Sequence, residues 1–203
     1  MKKRHLAIAL FASSAPMLHG AAFVYDELIW VTENSSFSFT DPTTVFYEID
    51  SDSSGLFGAS EFQGADLGSF TVGDELYLTG EQKSDKDNST DVIGHTLFWS
   101  LDGGSTFSTL GYGFQSDLGD GNQVWGAANA GNLTSNILDG LGAGSYTLSV
   151  WSTVTTDGVN SDTTIFNTNG GSNYNATFSV VPEPSVALLG AFGILGILRR
   201  RRP

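Results

Sequence analysis

The stretch SYTLSVWSTV, residues 145–154, decides the fold class because polar and apolar side chains alternate along it. Successive side chains of a β-strand point to opposite faces, whereas the pattern of an α-helix repeats about every 3.6 residues. One face of such a strand carries Tyr146, Leu148 and Val150, and the other carries Thr147, Ser149 and Trp151. This alternation, rich in Thr, Val and aromatic residues, predicts a half-buried strand.

The same alternation recurs between Phe23 and Val181, for example in ELYLT (residues 75–79) and YNATFSVV (residues 174–181). Clusters of Gly, Asp and Asn that favour turns separate such stretches; they lie at residues 102–104, 119–122, 157–158 and 169–171. NLTSNILDGL, residues 132–141, is the only candidate for a short helical turn. We therefore predict an all-β domain over residues 23–181, an antiparallel β-sandwich of the immunoglobulin-like or jelly-roll-like kind.

Two polar segments are predicted to be loops. EQKSDKDNSTD, residues 81–91, contains no apolar side chain, and FQGADLGSF, residues 62–70, is interrupted by glycines. The first segment has no apolar side chain for a core, so it is expected to be an exposed loop, and the glycines of the second also indicate a loop.

The distribution of charge excludes one class of partner. The chain has a formal net charge of −13, but most basic residues lie at its two ends. Residues 23–182 hold two basic residues, Lys83 and Lys86, against 21 acidic ones, which gives a formal charge of −19. Such a surface repels phosphate backbones, so nucleic acid is not expected as a partner. The chain has no cysteine, which excludes disulfides and thiolate catalysis.

The first 22 residues have the order of a secretory signal. Lys2, Lys3 and Arg4 form a positive start, residues 6–12 are apolar, and Gly20 and Ala22 fit a small-residue cleavage site. This pattern is typical of an export signal that is removed after Ala22.

The last 22 residues, 182–203, have three parts. Pro182 and Pro184 cannot continue a strand ladder, so they end the domain. Residues 186–198 are uncharged and would form a helix of about 20 Å, shorter than a bilayer core of about 30 Å. Four arginines follow, Arg199, Arg200, Arg201 and Arg202, and such a cluster stays on the cytoplasmic side of a membrane.

The motif VPEPS at residues 181–185, the short apolar helix and the arginine cluster together resemble the PEP-CTERM sorting signal. The resemblance implies that an exosortase, a membrane-embedded transpeptidase-like enzyme, recognises Pro182, Glu183 and Pro184. It also implies that the arginines are a cytoplasmic stop and that the helix holds the precursor in the membrane temporarily. The family is associated with bacteria that make extracellular polysaccharide. A permanent tail anchor without processing is the alternative.

DSDSSGLFGASE, residues 50–61, has the spacing of a calcium loop. Asp50, Asp52 and Ser54 occupy ligand positions one, three and five, and Glu61 occupies position twelve. The flanks do not favour the two helices of an EF-hand. A plain hairpin loop is therefore the alternative to a calcium site.

Aromatic residues and one histidine are the remaining candidates. Trp151 shares its face with Ser149 and Thr153, which favours an exposed ring that stacks on sugars; packing inside the protein is the alternative for this and every other Trp. His95 lies in a strand-like stretch without a nucleophile pattern, so we expect a hydrogen-bonded strand residue and no enzymatic activity.

These observations lead to two functional hypotheses. The first is an exported, exosortase-processed protein with a structural or interaction role, first anchored in the membrane and then at the cell surface or outside the cell. The second is a polysaccharide-binding module that is calcium-dependent if residues 50–61 form a site. Apart from that calcium ion, no cofactor is expected.

Overall fold

A computed structural model describes residues 23–49, 59–86, 90–101, 103, 105–127, 131–158 and 164–183. Within these ranges the chain is all-β, with eleven strands, one 3-10 turn at Asn169–Gly171 and no α-helix. The all-β prediction is therefore confirmed. No helix among the described residues has both the length and the apolar character to cross a membrane.

The eleven strands follow in chain order: β1 Phe23–Thr32, β2 Val45–Glu48, β3 Ser60–Glu61, β4 Asp66–Thr71, β5 Tyr77–Asp85, β6 Val92–Ser100, β7 Ser108–Gly119, β8 Asn122–Gly126, β9 Gly144–Thr156, β10 Thr164–Asn167 and β11 Tyr174–Val181. They form one sheet in the order β3-β2-β1-β5-β8-β7-β6-β9-β11-β4, and β10 pairs with β9. The stretch that decided the fold class lies in β9; Leu148 and Val150 are buried as predicted, but Ser149 and Thr153 of the predicted polar face are buried as well.

The sheet curls at β7, because this strand changes its neighbour. Its first part, from Ser108 to Tyr112, pairs with β6, and its second part, from Gly113 to Gly119, pairs with β8. The curl separates a first half-sheet (β3, β2, β1, β5 and β8) from a second half-sheet (β6, β9, β11, β4 and β10). One apolar cluster draws on both half-sheets; it includes Ile29 and Leu78 from the first and Leu97, Leu148, Val150 and Phe178 from the second.

The prediction of a purely antiparallel arrangement is wrong. β2 pairs with β3 in parallel, and β4 pairs with β11 in parallel. The sequence signals that favoured antiparallel pairing are tight turns, and these report only on strands that follow each other directly. β4 and β11 lie far apart in the chain, so no turn signal bears on their relative direction.

The predicted turn at residues 119–122 forms the β7–β8 hairpin. Asp120 and Gly121 both have positive φ, 53° and 92°, as a two-residue hairpin loop that matches the strand twist requires. A Cβ at residue 121 would lie 2.5 Å from the carbonyl oxygen of Lys86. Glycine is therefore needed at this position for both its backbone conformation and its size.

The two polar segments are not entirely loops. β5 continues through Asp85, and Gln82 and Ser84 are wholly buried, so the loop prediction for residues 81–91 is wrong for its first part. β4 begins within the second segment, at Asp66, so the loop prediction is wrong there too. β1 and β8 flank β5 on both sides, and the buried polar side chains of β5 hydrogen-bond to other buried groups. These partners make a polar strand stable inside the protein.

Residues 132–141 contain no helix. Thr134 and Asn136 instead accept hydrogen bonds from the backbone of Leu78 and Leu76, both at 2.9 Å. The segment therefore follows the start of β5 as an irregular extension of the sheet.

Candidate ligand-binding face

The outer face of the second half-sheet, on the side opposite the apolar cluster, carries Trp151 of β9. In the strand register, Trp151 pairs with Phe98 of β6, which in turn pairs with Thr109 of β7. The neighbours of Phe98 along its strand, Leu97 and Trp99, are buried on the core side. Phe98 and Trp151 therefore lie side by side on the same face, because paired residues of adjacent strands point in the same direction.

Phe98, Phe107 and Trp151 form what we call the aromatic platform. The rings of Phe98 and Trp151 are almost parallel, with an interplanar angle of 7° and centroids 5.4 Å apart. Phe107 meets both rings edge-on, at centroid distances of 5.4 Å and 5.7 Å. Phe107 is 56% exposed, and Phe98 and Trp151 are half-buried. The platform therefore holds its rings by mutual packing and still presents aromatic surface to solvent.

An open depression of about 380 Å³ lies beside the platform. Its lining combines one platform ring with buried aromatic surface and hydroxyl groups; the residues are Trp99, Ser100, Leu101, Thr106, Phe107 and Ser108. A mixture of aromatic surface and a few hydroxyl groups suits a ligand that is itself partly apolar and rich in hydroxyls.

The rest of the outer face is uncharged over most of its area. Around Trp151 the side chains of β6, β9 and β11 are mainly Thr, Ser and Asn, and Phe166 of β10 is 65% exposed. Ser149 donates a hydrogen bond to Asn175 Oδ1 at 2.5 Å, which ties β9 to β11. At the far edge, the hydroxyls of Ser69 and Ser179 lie 2.6 Å apart. Asp66 of β4 is an acidic residue at this edge, in register with Thr177.

Trp151 is the Trp that the sequence singled out for exposure, and the other three are buried. Trp30 is covered by Phe37, Phe39 and Phe46, with ring centroids 5.2 Å, 5.2 Å and 5.8 Å away. Trp99 and Trp125 belong to the apolar cluster. Sequence reasoning missed Phe98 and Phe107. Leu97, Phe98 and Trp99 are three consecutive apolar residues, so alternation gave no signal for which of them faces away from the core.

His95 is a buried strand residue with a hydrogen-bonded ring, as predicted. Its Nδ1 contacts Gln82 Oε1, its Nε2 lies 3.3 Å from Ser84 Oγ, and its ring stacks on Trp125 at 4.9 Å. Burial lowers the pKa of His95 to about 3, so the ring is neutral at physiological pH. Ser84 next to it is wholly buried, so a substrate cannot reach this pair.

A buried carboxyl group continues this polar cluster. Glu27 Oε2 accepts hydrogen bonds from Gln82 Nε2 at 2.8 Å, Ser152 Oγ at 2.6 Å and Asn167 Nδ2 at 2.8 Å. Glu27 and Gln82 belong to the first half-sheet, whereas Ser152 and Asn167 belong to the second. The cluster therefore joins the two half-sheets, and its role is structural.

The calcium loop falls mostly outside the described residues. Asp50, Asp52 and Ser54 are among those not described, and Glu61 is an exposed residue of β3. In the part of the chain that the structure describes, no three His, Cys, Asp or Glu residues gather in a way that suits a metal ion. The calcium hypothesis stays a prediction.

The Pro-Glu-Pro sequence, predicted to be a sorting motif, begins where the sheet ends. β11 ends at Val181, as the alternation predicted, and Pro182 and Glu183 are exposed. Val181 still takes part in the sheet, because its carbonyl accepts a hydrogen bond from Val72 N at 2.9 Å. Pro184, the apolar residues 186–198 and Arg199, Arg200, Arg201 and Arg202 lie outside the described residues, as does the N-terminal signal.

Comparison with known proteins leaves the family open. No family model matches the chain, and no curated protein matches it in sequence.

Proposed function

We propose that this chain is an exported, exosortase-processed protein of the cell surface or extracellular matrix, with an interaction role for its folded domain. The observation that carries the proposal is the position of the Pro-Glu-Pro motif. Pro182 and Glu183 are exposed directly after the last strand, where a membrane enzyme can reach them without opening the sheet. The N-terminal signal, the apolar helix and the four arginines support the same route.

Processing is expected to depend on the motif. Replacing Pro182, Glu183 and Pro184 together by alanine removes the recognition element, so the unprocessed chain is expected to accumulate in the membrane of the native host. Intact-mass spectrometry of the membrane and extracellular fractions measures this directly. Pro42→Ala changes an exposed proline far from the motif and is the control. Normal maturation of the triple-alanine chain would contradict the proposal and leave a permanent tail anchor as the explanation.

We also infer that the two half-sheets pack face to face as a β-sandwich of the immunoglobulin-like or jelly-roll-like kind. Hydrogen bonds across the interior support this inference, since Ser152 and Asn167 of the second half-sheet both bond to Glu27 of the first. The shared apolar cluster is the other support.

A second function, polysaccharide binding by the folded domain, is favoured by the aromatic platform. A pyranose ring has one face rich in C–H groups, and such a face stacks on an aromatic ring and is removed from water there. Phe107 and Trp151 offer aromatic surface at solvent, and Thr106 and Ser108 beside them offer hydroxyls to sugar hydroxyls. Calcium would contribute only if residues 50–61 bind it.

Loss of the platform is expected to weaken binding to polysaccharide. Phe107→Ala removes exposed aromatic surface, and an aromatic anchor of this kind contributes roughly 2 kcal/mol, or about thirtyfold in Kd. Affinity electrophoresis of the full chain in gels that contain polysaccharide measures the change. Trp151→Ala is expected to have an effect at least as large.

Phe114→Ala is the matched control for Phe107→Ala. Phe114 is 54% exposed and meets the ring of Trp125 edge-on at 5.4 Å and 74°, which is close to the geometry of Phe107 on Trp151 at 5.7 Å and 74°. Equal retardation of both variants and the parent would show that the platform does not bind polysaccharide.

A further inference from the structure

We propose that the glycan held by the aromatic platform is an uncharged polymer, and that chains bearing carboxylate or sulfate groups are rejected. The inference rests on the polysaccharide-binding function proposed above and names its ligand class. It follows from the distribution of charge around the platform.

The strands around the platform contain no basic residue that could pair with an anionic sugar. Residues 87–198 include neither Lys nor Arg, and all of β6, β7, β9, β10 and β11 lie within this stretch. β4 of the same half-sheet has none either. His95 is buried and neutral, so it supplies no positive charge at this face. Recognition of carboxylate or sulfate groups normally uses Arg or Lys side chains.

The two lysines of the domain are already engaged elsewhere. Lys83 Nζ lies 2.7 Å from Asp26 Oδ2. Lys86 Nζ lies 3.3 Å from Asp117 Oδ2 and 3.9 Å from Asp91 Oδ1. Lys83 lies within β5 and Lys86 directly follows it, on the first half-sheet. Neither lysine is therefore available to an anionic sugar on the platform.

The background charge opposes anionic chains further. With a formal charge of −19 on residues 23–182, a polymer with one carboxylate or sulfate per repeat meets repulsion wherever it approaches.

An uncharged sugar, in contrast, can make both stacking contacts and hydrogen bonds on this surface. Its C–H face meets the platform rings, and its hydroxyls meet the hydroxyls of Thr106 and Ser108, both of which are exposed. Hydroxyl side chains both donate and accept hydrogen bonds, so they suit a ligand whose own groups do the same.

Matched pairs of neutral and anionic polymers test directly whether the platform binds only uncharged glycans. The full chain, in a detergent without a sugar headgroup, is run in gels containing hydroxyethyl cellulose or carboxymethyl cellulose, dextran or dextran sulfate, and agarose or carrageenan. Each pair shares its sugar type and differs mainly in charge. We expect retardation by the neutral member of at least one pair, lost in Trp151→Ala and Phe107→Ala and kept in Phe114→Ala. The part of the retardation that depends on Trp151 is expected to be at least about tenfold weaker with the anionic member, because like charges oppose each other at the interface; the basic residues at the chain ends act equally in the parent and the variants.

Salt and a single added charge sharpen the test. Retardation by the neutral polymer is expected to stay constant between about 0.05 M and 0.5 M salt, since screening acts only on charges. Thr109→Lys places a cation beside Phe98 and is expected to increase binding of the anionic partner severalfold without weakening the neutral one.

The outcomes distinguish a failure of the charge selectivity from a failure of polysaccharide binding itself. Retardation that depends on Trp151 and is as strong with the anionic polymer as with its neutral partner overturns the inference and leaves polysaccharide binding intact. No retardation that depends on Trp151, in any of the six gels, overturns polysaccharide binding itself and the inference with it.

Discussion

Glu27→Ala is expected to lower the free energy of unfolding by about 3–5 kcal/mol, because it removes the acceptor of three hydrogen bonds, two of them from buried donors. The donors are Gln82 Nε2, Ser152 Oγ and Asn167 Nδ2. A buried donor that loses its partner costs about 1–3 kcal/mol, and water entering the space left by the side chain offsets part of the sum. The loss is large because Glu27 joins the two half-sheets, so no single strand can shift to compensate.

Urea unfolding of the parent and the variant at pH 7 measures this difference. Glu61→Ala is the control: Glu61 is exposed in the short edge strand β3, and its removal is expected to change the free energy of unfolding by less than about 0.5 kcal/mol. Glu27→Gln keeps the shape and one acceptor oxygen and is expected to lie between the two. If Glu27→Ala and Glu61→Ala unfold at the same urea concentration, the polar cluster does not hold the half-sheets together.

Acidification is expected to destabilise the protein through His95. Burial lowers the pKa of His95 to about 3 in the folded state, against about 6.5 in the unfolded chain. Below pH 6.5, His95 therefore binds a proton in the unfolded chain but not in the folded protein. The contribution of His95 to stability is complete above pH 6.5 and falls by about 1.4 kcal/mol per pH unit towards pH 3.

The pH dependence of urea unfolding between pH 7 and pH 5 isolates this effect. Hydrogen bonds from Thr43 and Asn34 lower the pKa of Asp41, and those from Gly119 and Lys86 lower the pKa of Asp117, so these groups destabilise the fold only at more acidic pH. Burial raises the pKa of Glu81, which acts in the opposite direction in every variant.

His95→Gln is the informative variant for this prediction. It is expected to be less stable at pH 7, because the stacking on Trp125 is lost, and to have a flatter pH profile than the parent. The difference in slope is expected to approach about 1.4 kcal/mol per pH unit below pH 6. Parallel profiles for the parent and His95→Gln would contradict the assignment of acid sensitivity to this ring.

Strands in which polar and apolar side chains alternate could be predicted from the sequence. β11 has this alternation, and its buried and exposed positions agree with it; in β9 the polar residues Ser149 and Thr153 are buried together with their apolar neighbours. The same reasoning placed Trp151 on the outer face. It did not identify the platform, because Phe107 lies just before β7 and reaches Trp151 only through tertiary packing.

The same reasoning could not predict that the polar part of β5 is a buried strand. Gln82 and Ser84 give no apolar signal, and their burial depends on partners far away in the chain. Gln82 bonds to Glu27, 55 residues earlier, and to Ser152, 70 residues later. Hydropathy measures each side chain against water, whereas these side chains are stable inside the protein because they bind one another.

The parallel pairing of β4 with β11 has a mechanical consequence. β11 lies between β9 and β4, and Val181 at its end leads out of the fold towards the C-terminus. Tension applied at Val181 along the strand axis loads the interstrand hydrogen bonds, which run perpendicular to the strand on the antiparallel β9 side and are slanted on the parallel β4 side. The bonds on both sides of β11 are then loaded in shear and share the force, whereas an edge strand peeled sideways would lose them one after another. A pull on the C-terminal end of the domain is thus carried by a strand that is hydrogen-bonded to a neighbour on each side.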